Sequence, residues 1–147
     1  MHNYFNEKSL HNIDPKGRLL LPKDIRHAFK IKKGDPLYLV PNLSDPQYLE
    51  IRTAKQWGDY CESLRRETSG EQKKDTFRYA MMSKEQSTVD GQGRILIPQG
   101  IRDSCKLDGS VAVINMDQYT EVWCQEHVER KYADMVRAFK ATNDRIF

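Results

Sequence analysis

The sequence predicts an α+β fold in which two tandem copies of one hairpin-containing unit share a β-barrel core, with an amphipathic helix after each copy. The first observation is an internal repeat: residues 13–22 read IDPKGRLLLP and residues 89–98 read VDGQGRILIP. Between 13–31 and 89–107, eight of nineteen positions are identical. The second observation is a sequence typical of a tight turn before each apolar strand. The third is a set of apolar residues at helical spacing after each copy. In a chain of 147 residues, half-length units would be marginal alone, so we expect the halves to pack on each other.

Each copy begins with a predicted tight β-hairpin. Asp14 is placed to accept backbone N–H bonds at the first position of a turn, Pro15 has a fixed φ, and Gly17 tolerates a left-handed conformation at the end. The second copy keeps this arrangement in Asp90 and Gly93. We therefore predict that these Asp and Gly residues are structural parts of two equivalent turns.

An apolar strand and a short helix are expected after each turn. Residues 19–21 (LLL) and 95–97 (ILI) do not alternate with polar residues, which predicts strands covered on both faces. Pro22 and Pro98 then end the strands and suit the first turn of a helix.

The repeats are predicted to span residues 8–54 and 85–127. Helices are expected at 54–67 and 125–141, because apolar and aromatic residues recur there at helical spacing. Such stripes usually contact a core or an interface. The polar segment 68–75 is expected to connect the halves, with residues 77–82 helical or extended.

Charge differs between the two copies. Residues 8–34 contain eight cationic and two acidic side chains, a net charge of +6, whereas residues 84–110 contain four of each. The first copy is therefore expected to form an electropositive patch that attracts polyanions. In the second copy Gln92 replaces Lys16, and the surrounding sequence carries no excess of positive charge.

Other functional classes have little support in the sequence. No stretch approaches the length of a membrane span, and the N-terminus lacks the apolar run of a secretory signal, so we expect a cytoplasmic protein. The three cysteines suggest neither a disulfide framework nor a zinc site. The four histidines are scattered and no Gly-rich phosphate loop is present. We expect no catalytic residues, no metal and no cofactor.

With its doubled Asp-x-x-Gly-Arg turn, apolar strand, Pro, short helix and closing helix, the chain resembles the MraZ family, two-copy bacterial members of the SpoVT/AbrB-like swapped-hairpin superfamily. The resemblance covers about residues 8 to 140. It implies a sequence-specific DNA-binding transcriptional regulator that acts on short direct repeats upstream of the division and cell-wall gene cluster. It also implies a nucleoid-associated, ring-shaped homo-oligomer, commonly an octamer, with no membrane partner and no small-molecule substrate.

The family's DNA-contacting arginines correspond to Arg18 and Arg94. An arginine just after a tight turn is held on a rigid hairpin and offers a fork of donors to guanine or phosphate. Lys16 at the turn tip is expected to contact phosphate, and Lys23 and Arg26 on the following helix could add to this contact.

Two alternatives remain at this stage. Aspartate decarboxylases share a related barrel and form a pyruvoyl group by cleaving a Gly-Ser bond, and Gly109-Ser110 is such a dipeptide; a solvent-exposed turn is the simpler interpretation. Related single-copy proteins act as antitoxins that bind a toxin through a disordered tail. Here the segment from Gln125 onward has the pattern of an amphipathic helix, which argues against that use.

Overall fold

The computed structural model describes residues 10–67 and 70–142, which form eight strands and five helices. In chain order these are β1 (Leu10–Asn12), β2 (Arg18–Leu20), α1 (Lys23–Ala28), β3 (Pro36–Asn42), β4 (Tyr48–Thr53), α2 (Ala54–Arg66), α3 (Glu71–Ser83), β5 (Glu85–Thr88), β6 (Arg94–Leu96), α4 (Gln99–Cys105), β7 (Ser110–Asn115), β8 (Thr120–Cys124) and α5 (Gln125–Ala141).

The strands are exchanged between the two repeats. Six of them form one antiparallel sheet in the order β1-β7-β8-β4-β3-β5, and β2 pairs with β6 in a separate two-stranded ribbon. The first strand of each repeat pairs with the other repeat: β1 with β7, and β5 with β3. Neither repeat completes its own sheet. The predicted α+β class and shared core are confirmed, and the core lies between a six-stranded sheet and a ribbon.

The main hydrophobic core receives side chains from both repeats. Its fully buried members include Leu19 in β2 and Leu21 just after it, and Ile95 in β6 and Ile97 just after it. Burying each such side chain stabilises the fold by about 1.5–3 kcal/mol relative to exposure. The ribbon therefore forms one wall of the core.

The prediction that both faces of these strands are covered is wrong. Leu20 is 50% exposed and Leu96 is 52% exposed, whereas the adjacent Leu19 is fully buried. Successive side chains of a strand point to opposite faces, and a two-stranded ribbon covers the core with one face only. The outer face of the ribbon is thus open in the single chain.

The helix after the first copy is anchored by its cap and its apolar face. Thr53 and Gln56 form a capping box, and Trp57 and Cys61 pack with Ala80 of α3 in a second buried cluster. Most of the connection predicted at 68–75 is helical, since α3 begins at Glu71, and residues 68–69 lie outside the described residues. Pairing of Arg78 with Asp75 and Glu71 stabilises that helical start.

Helix α5 buries only part of its apolar stripe. Val128 packs with Ala112 and Trp123. Further along the helix, Val136 is half-buried and Met135 is exposed. The C-terminal part of the stripe therefore extends past the core of one chain.

Candidate nucleic-acid interface

The first turn is held by the side chain of Asp14. Its Oδ1 atom accepts the backbone N–H groups of Lys16 at 3.0 Å and Arg18 at 2.8 Å. Its carbonyl accepts the N–H of Gly17 at 2.9 Å, and Gly17 has φ +88°, in the left-handed region. Four residues thus form a compact turn, as its sequence predicts.

The second turn repeats this geometry. Asp90 Oδ1 accepts the N–H groups of Gln92 and Arg94, each at 2.9 Å, and Gly93 has φ +83°. The backbone hydrogen bond from Arg94 is the largest influence that lowers the pKa of Asp90 to about 2. The backbone bond from Arg18 likewise lowers the pKa of Asp14. Both carboxylates are ionised at neutral pH.

Each aspartate also orients the arginine that follows its turn. Arg18 Nε donates to Asp14 Oδ2 at 2.7 Å, and Arg94 Nε donates to Asp90 Oδ2 at 2.9 Å. The arginine side chains remain 33% and 28% exposed. Among the described residues, these bonds use only Nε, so the two Nη atoms at the end of each guanidinium can meet a ligand. An end-on pair of donors matches guanine O6 and N7 or a phosphate.

The ribbon brings the two arginines onto one surface. Arg18 lies opposite Leu96 and Leu20 lies opposite Arg94, so these four side chains share one face, here called the ribbon face. Arg18 and Arg94 are diagonal neighbours, a relationship that typically separates residues by about 7–8 Å. A two-stranded β-ribbon is of a size that the major groove of B-DNA admits.

Arg26, a predicted DNA-contacting residue, lies against the turn of the other repeat. Its Nε donates to the carbonyl of Leu21 at 3.0 Å, and a Cβ built on Gly93 would be 2.7 Å from its Nη1. Arg102 is its counterpart in the second repeat. It donates to Ile97 and lies against Gly17, where a Cβ would be 2.6 Å from its Cζ.

Sequence reasoning did not assign Arg102 to the site. The sequence did contain an indication, because Arg102 occupies the position in the second repeat that Arg26 occupies in the first. What the sequence could not show is that each arginine contacts the opposite hairpin. That contact depends on the strand exchange between repeats, which no local pattern encodes.

The exchange also redistributes charge. The second turn has few cations in its own sequence window, yet Arg26 contacts Gly93, and the side chain of Lys33 lies 3.7 Å from a Cβ built on Gly91. Two cations of the first repeat therefore flank the second turn. The difference in net charge between residues 8–34 and 84–110 thus does not make the second hairpin poor in positive charge.

The two predicted lysine contacts occupy exposed positions. Lys16 lies at the tip of the first turn, and Lys23 is the first residue of α1. Both can approach a phosphate backbone without displacing core residues. Lys16 lies on the hairpin that also carries Arg18, whereas Lys23 lies beyond the ribbon strand.

A buried polar cluster on the six-stranded sheet has a structural explanation. Glu50 and Glu121 lie opposite each other on β4 and β8, an arrangement that would suit acid–base chemistry. Arg52 Nη1 donates to Glu50 at 2.9 Å, and Trp123 Nε1 and Tyr119 Oη donate to Glu121 at 2.9 and 2.7 Å. These donors compensate the carboxylates, so the cluster stabilises the sheet.

Other chemical sites receive no support from residues 10–67 and 70–142. That part of the chain contains no group of three or more His, Cys, Asp or Glu side chains able to hold a metal ion. The three cysteines are buried, and burial raises the pKa of Cys105 to about 11, which keeps it a thiol. None of the helices in this part combines the length and apolar character needed to cross a bilayer.

The residues singled out for the alternatives have ordinary structural positions. Gly109 has φ +82° directly before β7, and its carbonyl accepts the N–H of Ile13 at 2.9 Å. The segment Gln125–Ala141 is a continuous helix. A helix from Gln125 fits poorly with toxin binding through a disordered tail.

Comparison with known proteins matches both repeats to one family. A family model for the MraZ protein, described as antitoxin-like, matches residues 4–79 and again residues 80–146. The chain is 28% identical over 137 residues to the "Transcriptional regulator MraZ" of Desulforamulus reducens, covering 92% of each chain. It is 27% identical to the protein of that name from Dictyoglomus turgidum, covering 92% of this chain and 91% of the relative. The protein of the same name from Caldicellulosiruptor saccharolyticus is 30% identical, with 84% and 83% covered. The duplicated family match, which spans nearly the whole chain, shows that this protein belongs to the MraZ family.

Proposed function

We propose that this protein is a sequence-specific DNA-binding transcriptional regulator that inserts its ribbon face into the major groove. The observation that carries this proposal is the placement of Arg18 and Arg94 on one face, both partly exposed, with no hydrogen bond from their Nη atoms among the described residues. The relatives that carry the name of a transcriptional regulator support it.

Each part of the site has a distinct task in this proposal. Arg18 and Arg94 read guanine or bind phosphate through their Nη atoms, while Asp14 and Asp90 orient the arginines through their Nε atoms, so that little conformational entropy is lost on binding. Lys16 adds a phosphate contact that positions the ribbon without reading sequence.

The lysine and arginine of α1 are assigned different tasks. Lys23 adds a phosphate contact at the start of the helix. Arg26 supports the second hairpin and places positive charge beside it, and Arg102 does the same for the first. Neither arginine needs to touch DNA in order to affect binding.

We further propose a ring-shaped homo-oligomer, an octamer, that binds short direct repeats upstream of the division and cell-wall gene cluster. The apolar stripe of α5 around Met135 and Val136, which one chain leaves partly exposed, is a surface that a neighbouring subunit could cover. A ring would present several weak ribbons at a fixed spacing, so matching repeats would bind with high effective concentration. We expect a protein that binds such repeats to be associated with the nucleoid, in the cytoplasm.

The test is a fluorescence anisotropy titration with duplex DNA from the region upstream of the protein's own gene. Arg18→Ala should weaken binding by about 1–3 kcal/mol for each contact that is lost, multiplied over the subunits that engage. Arg18→Lys should recover phosphate affinity but not sequence preference, because an ammonium lacks the planar fork. Arg94→Ala should reproduce the loss.

Arg66→Ala is the matched control. It removes one exposed arginine from α2, a helix that packs against β3, β4 and α3. Its binding should equal that of the wild type. If Arg18→Ala and wild type bind equally while both remain folded, Arg18 has no part in the mechanism.

Salt dependence separates the lysine from the arginines. Lys16→Ala should lower affinity for all sequences alike and reduce the slope of log affinity against log salt by about 1 per site. Preference for the operator over unrelated DNA should stay the same. A changed sequence preference in this variant would contradict the phosphate role of Lys16.

A further inference from the structure

The exposed leucines of the ribbon face have no role in the core. Leu20 and Leu96 are about half exposed, whereas Leu19 and Ile95 beside them are buried. Leaving apolar area in water forgoes the stabilisation of its burial. Two equivalent positions, one in each repeat, carry the same exposed side chain. The ribbon therefore presents a repeated apolar feature.

The leucines alternate with the arginines. Each strand carries an arginine followed two residues later by a leucine, and the antiparallel pairing sets each leucine opposite the arginine of the other strand. An occupant of this face must offer groups that attract two cations and, within a few ångströms, apolar groups that two leucines can cover. The edge of the major groove has this chemistry, because it displays guanine acceptors and the 5-methyl group of thymine.

We infer that Leu20 and Leu96 are specificity-determining residues that cover thymine 5-methyl groups in the major groove. This inference rests on the proposed DNA-binding function and goes beyond it by assigning base discrimination to apolar side chains. The arginines select guanine and attract the duplex, and the leucines favour thymine over bases that lack the methyl group.

Charge favours DNA over a second copy of this chain as the occupant. If two ribbon faces packed on each other, Arg18 and Arg94 of one copy would meet the same arginines of the other. The aspartates that could compensate them are already engaged within each hairpin. Like charges brought together in an interface oppose association, whereas DNA supplies the opposite charge.

The experiment removes the methyl groups from the DNA. A binding site is selected with the wild-type protein from a random pool of duplexes, and the same duplex is then made with deoxyuridine in place of thymidine. Wild type should bind the thymine duplex more tightly, by about fourfold for each covered methyl group, which is the value expected for burying one methyl-sized group. Replacing thymines singly should assign the effect to particular positions.

The double variant Leu20→Ser/Leu96→Ser should bind both duplexes with equal affinity and keep the wild-type salt dependence. Leu43→Ser is the matched control, because Leu43 is 56% exposed and lies in the connection between β3 and β4. It should keep the full preference for the thymine duplex.

Several results would overturn the inference. These are a selected site without thymine, equal binding of the two duplexes by the wild type, or an undiminished preference in the double variant. A double variant that loses its oligomeric mass but keeps the preference would assign the leucines to a contact between copies. Because the wild-type comparison needs no variant, a folding defect does not obscure the answer. Failure to select any DNA would contradict the proposed function as well, whereas a selected site insensitive to uracil contradicts only this inference.

Discussion

Arg26 of the first repeat packs its guanidinium directly on Gly93, in the turn that presents Arg94 of the second repeat. Arg102 makes the reciprocal contact with Gly17. Backbone hydrogen bonds reinforce the exchange, since the carbonyl of Gly93 accepts from the N–H of Leu21 at 3.1 Å. The two hairpins are therefore coupled, and a change in one repeat should alter the hairpin of the other.

Gly93→Ala should destabilise the fold by more than backbone strain alone. A left-handed residue other than glycine costs about 1–2 kcal/mol. The new Cβ would also lie 2.7 Å from Arg26 Nη1, so the guanidinium must move and strain its hydrogen bond to Leu21, at a cost of about 1 kcal/mol more. Urea denaturation measures the change.

Gly109→Ala provides the control for backbone strain. Gly109 has φ +82°, close to the value of Gly93, but no heavy atom outside its immediate neighbours lies within 4 Å of a Cβ built there. The difference between the two variants reports the contact with Arg26, and it should shrink when both are made in an Arg26→Ala background. A difference that persists in that background would refute the coupling.

Asp90→Asn should be less stable than the wild type at neutral pH. In acid the two proteins should be equally stable. The pKa of Asp90 is about 2, below the ordinary value of 3.8, because backbone N–H groups and Arg94 favour its ionised form. Its contribution is complete above about pH 4 and is lost as the pH falls towards 2. Melting temperatures of wild type and variant should therefore converge over that range.

The exposed Asp108 provides a charge-matched control. Asp108→Asn makes the same change of charge outside the turns and should shift the melting temperature little at any pH. A gap between wild type and Asp90→Asn that is unchanged between pH 6 and pH 2 would show that the carboxylate charge does not hold the turn.

The sequence predicted features that depend on neighbouring residues. The two tight turns followed from Asp14, Gly17 and their repeated counterparts, and the shared α+β core followed from the duplication; both are confirmed. The strand exchange leaves no local signal, because antiparallel pairing joins distant segments; only the resemblance to a swapped-hairpin superfamily implied it. The position of Arg26 on Gly93 depends on that exchange and was not predicted.

Helix α3 and the ribbon face show two further limits. The polar segment 68–75 suggested a connection without a helix, but α3 begins at Glu71 and gains stability from Phe77 and Ala80, which pack in the second cluster. Three consecutive apolar residues suggested a strand buried on both sides. An apolar residue kept on an exposed face, such as Leu20, is indistinguishable in sequence from a core residue.

Arg52→Ala should destabilise the protein strongly, by about 3–5 kcal/mol. The Arg52 guanidinium is nearly inaccessible, pairs with Glu50 at 2.9 Å, and lies 3.8 Å from the ring centroid of Tyr60. Its removal leaves Glu50 beside Glu121 with less compensating charge. Thermal unfolding measures the loss.

A second substitution tests that explanation. Adding Glu50→Gln to Arg52→Ala should recover part of the stability, because it removes the uncompensated charge. Lys55→Ala, which breaks an exposed ion pair with Asp59, should cost no more than about 1 kcal/mol. A loss in Arg52→Ala as small as that of Lys55→Ala would mean that water reaches the buried cluster.

Leu19→Ala and Leu20→Ala should differ sharply although the residues are adjacent. Leu19 is fully buried in the shared core, so its truncation should cost about 2–5 kcal/mol. Leu20 is on the ribbon face, and its truncation should change the free energy of unfolding by no more than about 0.5 kcal/mol in the absence of DNA. Urea denaturation at several protein concentrations shows whether the ribbon face is open to solvent or covered by another copy of the chain. If Leu20→Ala were as costly as Leu19→Ala, with a cost that grew with protein concentration, another copy of the chain would cover the ribbon face and DNA could not enter it.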